Sequence, residues 1–194
     1  MEFQGRIPYA PIPGVLVLGI GHKAHHGKDT CAQAMVESAP ADVLRIGFAD
    51  ALYDYCRIEF GMKTKDAYLL QKVGTNLRAE NPQVWIDAVY WKIVEKKPKV
   101  VVISDLRHLN EAQFIKDLRG YTIKVERLVG ETPYQAGDRD PNHVSEVQLD
   151  GYSFDLTITN RDLLSTRRNA VVALNFYRQI HENDPMTILE GINV

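Results

Sequence analysis

Cysteine is scarce in this chain, and the two present, Cys31 and Cys56, form neither a close pair nor a metal-ligand spacing. That argues against a disulfide framework, and both thiols read as reduced packing residues. An excess of charge of one sign is missing as well, since 23 basic residues face 25 acidic ones for a formal net charge of −2. Such a balance gives no electrostatic ground for gripping a nucleic acid polymer, so any anion must be held by a few placed cations. Long apolar runs are absent too. No stretch approaches a membrane span, and the N-terminus, with Arg6 and several prolines, lacks the continuous apolar segment of a signal sequence. These absences predict a soluble, cytoplasmic protein with no membrane partner. The 194 residues are enough for one substantial core but short for two independent enzymatic domains.

What the chain does have is a glycine-bounded loop. Gly19 to Thr30 reads Gly-Ile-Gly-His-Lys-Ala-His-His-Gly-Lys-Asp-Thr, after the apolar run Val15-Leu16-Val17-Leu18 and before a helix-like stretch. Backbone N–H groups in a tight loop, backed by a helix N-terminus, offer aligned partial positive charge to a phosphate, and Lys28 adds a full one. The spacing departs from the Walker A pattern. Five residues separate Gly21 from Gly27 where the pattern has four, and Asp29 follows Lys28, so the hydroxyl arrives one residue later at Thr30. A chance Gly-Lys-Asp-Thr in a surface turn is the plain alternative, and the strand before and helix after weigh against it. His22, His25 and His26 cluster in the same loop but define no coordination geometry and have no cysteine beside them, which disfavours a structural zinc.

The order of elements predicts an open, mostly parallel α/β sheet. Residues 1–13, with Pro8, Pro11 and Pro13, read as an irregular leader on the domain surface. A strand from about Val15, a helix over Asp29 to Ser38 and a second strand near Val43 to Phe48 make a β–α–β unit. Ala49 to Lys96 has a helical pattern punctuated near Gly61, Gly74 and Asn81-Pro82. Lys99 to Asp105 is a β-branched run suited to a strand buried on both faces. A helix over Asn110 to Leu118, a strand over Tyr121 to Leu128, a short strand over Phe154 to Thr159 and a helix ending near Glu182 complete the pattern. Val129 to Leu149, rich in Gly, Pro, Asp and Asn, reads as a long functional loop. Ligands collect at the carboxyl ends of such strands, where the phosphate loop, Ala49-Asp50 and Asp105-Leu106-Arg107 all fall.

Several segments together resemble the bacteriophage-type deoxynucleoside monophosphate kinases, a family of P-loop nucleotide kinases. They are Gly27-Lys28-Asp29-Thr30; Gly47-Phe48-Ala49-Asp50-Ala51-Leu52; Leu70 to Thr75 with Arg78 and Trp85; Ser104-Asp105-Leu106-Arg107 with Asn110-Glu111-Ala112; and His143-Val144-Ser145-Glu146, followed by Asn160. They keep the family order over about Val15 to Asn160, and the set is far more specific than any one member. The resemblance implies a three-layer P-loop NTPase fold with a mostly parallel central sheet, helices on both faces and a lid insertion. A single kinase domain over 14–194 would then carry an acceptor-binding helical region at about 49–97 and a lid at about 128–149. If the chain is phage-encoded, its compartment is the host cytoplasm.

The reaction this resemblance implies is transfer of the γ-phosphoryl group of ATP to the 5′-phosphate of a deoxynucleotide, with Mg2+ as cofactor. The nucleophile is already an anionic phosphate oxygen, so alignment and charge offset matter more than a general base. By the same resemblance Lys28 bridges the β- and γ-phosphates, and Lys28, Arg107 and Arg139 form the catalytic set. Gly27, Lys28, Asp29, Thr30 and Arg127 belong to the ATP side. Phe48, Asp50, Arg78, Trp85, Asp105, Arg107 and Glu146 belong to the acceptor side. Thr30 and Asp105 are candidates for the magnesium shell, through water.

Each assignment has a plainer alternative. Asp29 faces a magnesium water or a basic side chain, or simply caps the helix. Asp105 serves the metal or the acceptor. Arg78 and Arg107 bind phosphate bidentately or form surface salt bridges. Phe48 and Trp85 border the acceptor base or fill the core. Arg127 and Arg139 belong to a lid that closes over the phosphates, or Asp138-Arg139-Asp140 is a solvated charge run. His143, Ser145 and Glu146 order the lid or contact the acceptor sugar and base. The partners implied are ATP and deoxynucleoside monophosphates, with a homodimer left open. Two other functions suit the same loop: a P-loop kinase for another small metabolite, because the loop identifies the donor better than the acceptor, or a regulatory module that binds nucleotide without transferring phosphate.

Overall fold

The computed structural model describes residues 9–129, 132–133, 142–185 and 187. A parallel sheet runs in the order β2 (Val43–Ile46), β3 (Val100–Leu106), β1 (Leu16–Gly21), β4 (Tyr121–Val129), with β6 (Leu156–Asn160) pairing parallel to β4. The short β5 (Thr132–Pro133) folds back antiparallel on the end of β4. All of β1 and nearly all of β3 are buried, as central strands covered on both faces must be.

The period of two in those strands builds two cores. Val17, Val101 and Ile103 point to one face, where they meet α2 (Phe48–Phe60), α4 (Val84–Lys96) and α5 (Leu109–Asp117). Leu16, Leu18, Val100 and Val102 point to the other, under α1 (Lys28–Ser38) and α7 (Leu163–Glu182). The result is a three-layer α/β fold with helices flanking a mostly parallel sheet, the architecture of P-loop NTPases and kinases. Tyr9, within the stretch expected as a leader, is docked on this body. Its hydroxyl donates to Asp87 at 2.6 Å and its ring meets Phe114 edge-on.

The helical region follows its punctuation with one exception. Gly61 ends α2 and Asn81-Pro82 separates α3 (Ala67–Glu80) from α4, but Gly74 lies within α3 instead of interrupting it. Packing is the reason: a Cβ on Gly74 would stand 3.0 Å from Leu52 Cδ2, so its absence lets α3 approach α2. The segment expected as loop between 129 and 149 contains β5 and the one-turn helix α6 (Val144–Val147). Residues 130–131 and 134–141, and with them Asp138, Arg139 and Asp140, lie outside the described residues.

Candidate functional site

The loop between β1 and α1 has the strand-to-helix placement expected of a phosphate cradle, and its length is ordinary. Gly21 is the last residue of β1, paired with Leu106 across a register shift. Counting back five places from Gly27 reaches His22, whose φ of 89° is the left-handed conformation usually left to glycine. The apparent extra residue therefore disappears, because a histidine stands at the first glycine position. Gly27 itself has φ 104°, and a Cβ there would lie 2.5 Å from Asn160 Nδ2. That amide donates to the His26 carbonyl at 2.9 Å, while the Arg127 N–H donates to His26 Nδ1 at 3.2 Å, tying the loop to β4 and β6.

Lys28 opens α1 and is buried, with its ammonium donating to the Lys23 carbonyl. Burial and the Arg107 guanidinium pull its pKa down to about 8, against the opposing carboxylates of Glu146, Asp29 and Asp105. One neighbourhood thus joins the loop to the Asp105-Leu106-Arg107 strand end. Asp29 points outward and pairs with Arg45, whose Nε donates to Ser104 Oγ at 3.1 Å. Of its three sequence alternatives, this contact is the basic side chain. Thr30 is the third residue of α1, partly exposed.

Across the β3 end, carboxylates organise the cations. Asp105 accepts from the Phe48 and Ala49 amides, both at 2.8 Å, and so caps α2 from another strand. Burial pushes its carboxyl pKa up while those two amides oppose the shift. Asp50 closes the same helix end by accepting from the Gly47 amide at 2.8 Å. Glu111, at the start of α5, is buried. It accepts from the Arg107 and His108 amides at 2.9 and 3.1 Å and meets Arg78 at 3.4 Å. Its carboxyl is pushed up to about 7 by burial first and by Asp105 second. A cleft of about 480 Å³ opens beside this network, bounded by Arg78, Gln83, His108, Asn110 and Gln148. Phe48 and Trp85 are only 1% and 4% exposed and lie in the core beneath α2 and α4, so packing is the alternative this structure realises.

The β1–α1 loop and the arginine at the β3 end meet through α6 and the residues after it. Glu146 accepts from Arg107 at 2.6 Å with one oxygen and from the Ala24 amide of the loop at 2.8 Å with the other. Arg107 also donates to the Ser145 carbonyl at 3.3 Å. His143 caps α6 and reaches Gln71 of α3 at 3.2 Å, His108 meets Gln148 at 2.7 Å, and Asp150 takes both His22 and Lys23 at 3.1 Å.

Set beside known proteins, the chain is similar to a protein of Acanthamoeba polyphaga mimivirus described as "Putative deoxynucleotide monophosphate kinase", with 27% identity, covering 86% of this chain and 94% of that one. No family model matches. Among solved structures it is similar in outline to an APS kinase of Mycobacterium tuberculosis (12% identity, 84% and 99% of the two chains, TM-score 0.47). A gluconokinase of Sinorhizobium meliloti 1021 (16%, 88% and 99%, 0.45) and a shikimate kinase of Aquifex aeolicus (14%, 84% and 99%, 0.44) are similar to it in the same way. No residue assignment rests on these three.

The structure thus brings Lys28, Asp29, Asp105, Arg107 and Glu146 into one electrostatic neighbourhood, with Arg78 joined through Glu111. Arg127 contributes a backbone contact to the loop. Sequence reasoning did not assign Glu111 or Asp150. Glu111 had a signal in its place within Asn110-Glu111-Ala112, where a glutamate three residues past the helix start suits a capping role. Asp150 had none, because its partners lie 127 and 128 positions away.

Proposed function

We propose that this chain is an ATP-dependent P-loop phosphotransferase for a small metabolite, with a deoxynucleoside monophosphate as its acceptor. The observation that carries the reading is the pairing of two cation systems: Lys28 in the phosphate loop and Arg107 at the β3 end, bridged by the single carboxylate of Glu146. Two anions to be joined need two such sites facing one another, and a simple anion-binding loop needs one. The ordered motifs and the mimiviral relative support a deoxynucleotide as the acceptor.

In this reading Lys28 leaves the Lys23 carbonyl for the donor phosphates, and the amides of Gly27 to Thr30 cradle the β-phosphate. Arg107 and Arg78 orient the acceptor phosphate, and Arg139 and Arg127 attend the donor side. Mg2+ takes few protein ligands and keeps several waters, which suits the donors present: the Thr30 hydroxyl, and Asp105, whose oxygens retain lone pairs beside their two amide contacts. The ion would offset charge on the transferring group. Asp50 acts through the α2 end that it closes. A second reading, a kinase for a different small metabolite, is favoured by the burial of Phe48 and Trp85, which leaves neither ring to stack on a base.

The deciding experiment offers ATP and Mg2+ with each deoxynucleoside and ribonucleoside monophosphate, and with small hydroxylated acids and sugars, and measures ADP and the phosphorylated product. A diphosphate from at least one deoxynucleotide is expected. Turnover of a hydroxylated metabolite alone would select the second reading. ATP binding by calorimetry without turnover of any acceptor would leave a nucleotide-binding module.

A further inference from the structure

His22 stands where the Walker A spacing has glycine, and its backbone holds the left-handed φ of 89°. A residue with a Cβ disfavours that region, so a compensating contact is needed to keep it there. The imidazole is 7% exposed, and its Nε2 lies 3.1 Å from Asp150 Oδ1. An ionised carboxylate only accepts, so Nε2 carries the ring proton. Burial first, and the Lys124 ammonium second, pull the imidazole pKa down to about 4, which leaves the ring neutral near pH 7. Its Nδ1 has no hydrogen-bond partner among the described residues, which leaves Asp150 as the polar anchor of this side chain. The next residues are held from the same side: Lys23 by Asp150 and the Ala24 amide by Glu146.

From this geometry we infer that Asp150 is a positioning residue of the donor site, holding the phosphate loop in its cradle conformation through His22. The inference rests on reading the loop as an ATP site. The loop amides converge on a phosphate only while residue 22 keeps its positive φ, and a histidine released from its anchor drifts to negative φ. Apparent ATP affinity then falls by the fraction of molecules that leave the competent conformation.

The test compares ATP affinity, by calorimetry, and amide hydrogen exchange of the loop in variants of the full chain. Asp150→Ala should weaken ATP about tenfold, as the competent fraction drops to about a tenth. It should also speed exchange across residues 22–27. Adding His22→Gly is the informative step, because glycine adopts the required φ without an anchor, and the double variant should return to within about threefold of the parent. Lys23→Ala, which removes the ammonium partner of Asp150, should also stay within about threefold. Unchanged affinity in Asp150→Ala, a double variant as weak as the single, or an equal loss in Lys23→Ala would each overturn the inference. A parent chain that binds no ATP would sink the functional reading instead. The exchange rates then decide the anchor by themselves: faster loop exchange in Asp150→Ala upholds it, and unchanged exchange rejects it.

Discussion

At the phosphate loop the buried ammonium of Lys28 rests on a backbone carbonyl, whereas at the β3 end Arg107 and Arg78 rest on the buried carboxylates Glu146 and Glu111. The lysine is therefore held by a backbone acceptor, and the two arginines by counter-charge. The energetic cost of burial falls on different groups as a result. In the loop the cation itself bears it, and the Lys28 pKa drops to about 8. At the β3 end a buried carboxylate bears it, and burial first and Asp105 second raise Glu111 to about 7 against the opposing Arg78.

The largest effect is expected from removing Lys28. Lys28→Ala should cost about 3 kcal/mol of transition-state stabilisation, a hundredfold or more in kcat. An unimpaired variant in a turnover assay would show that backbone shape alone serves the donor. The Lys28 shift adds a pH signature. Bound phosphate favours the protonated amine, so ATP affinity should decline as pH rises through about 8 in the parent chain. Calorimetry across that range should find the decline absent in Lys28→Ala.

Next in size is the pH dependence of stability from Glu111. Its folded pKa, about 7, lies above the ordinary 4.5, so between those values the folded state binds the extra proton. The resulting stabilisation is fully present below about pH 4.5 and is lost as pH rises through about 7. The change is on the order of 3 kcal/mol. Denaturant titrations of the parent chain and Glu111→Gln should differ by a slope confined to that window, and parallel curves would remove Glu111 as the residue bearing the cost.

A smaller effect should separate the two sides kinetically. Arg107→Ala should raise the acceptor KM about tenfold while shifting that of ATP far less. Equal shifts would mean that Glu146, freed from Arg107, disturbs the loop as much as the acceptor. The smallest expected effect is that of Gly74→Ala. Helix propensity gains up to about 1 kcal/mol, and the flexible end of Leu52 must yield to the new methyl, so thermal unfolding should change little. Because α3 carries Arg78, any kinetic change should appear in the acceptor KM alone.

Much of this was legible along the chain. Continuous apolar runs with helical stretches between them dictated the layered α/β arrangement, since each such strand has to bury both faces. Gly27-Lys28 in a strand-to-helix turn was readable for the same local reason: a short loop fixes its own backbone. The sequence by itself also determined which cations were available, Lys28, Arg78 and Arg107. Tertiary structure decided what restrains them. Glu146 and Glu111 touch their arginines from 39 and 33 positions away, and Asp150 reaches His22 across 128, distances over which spacing carries no information. It also turned Phe48 and Trp85 inward and placed His22 in a glycine's conformation, because burial and backbone φ follow from how whole elements pack.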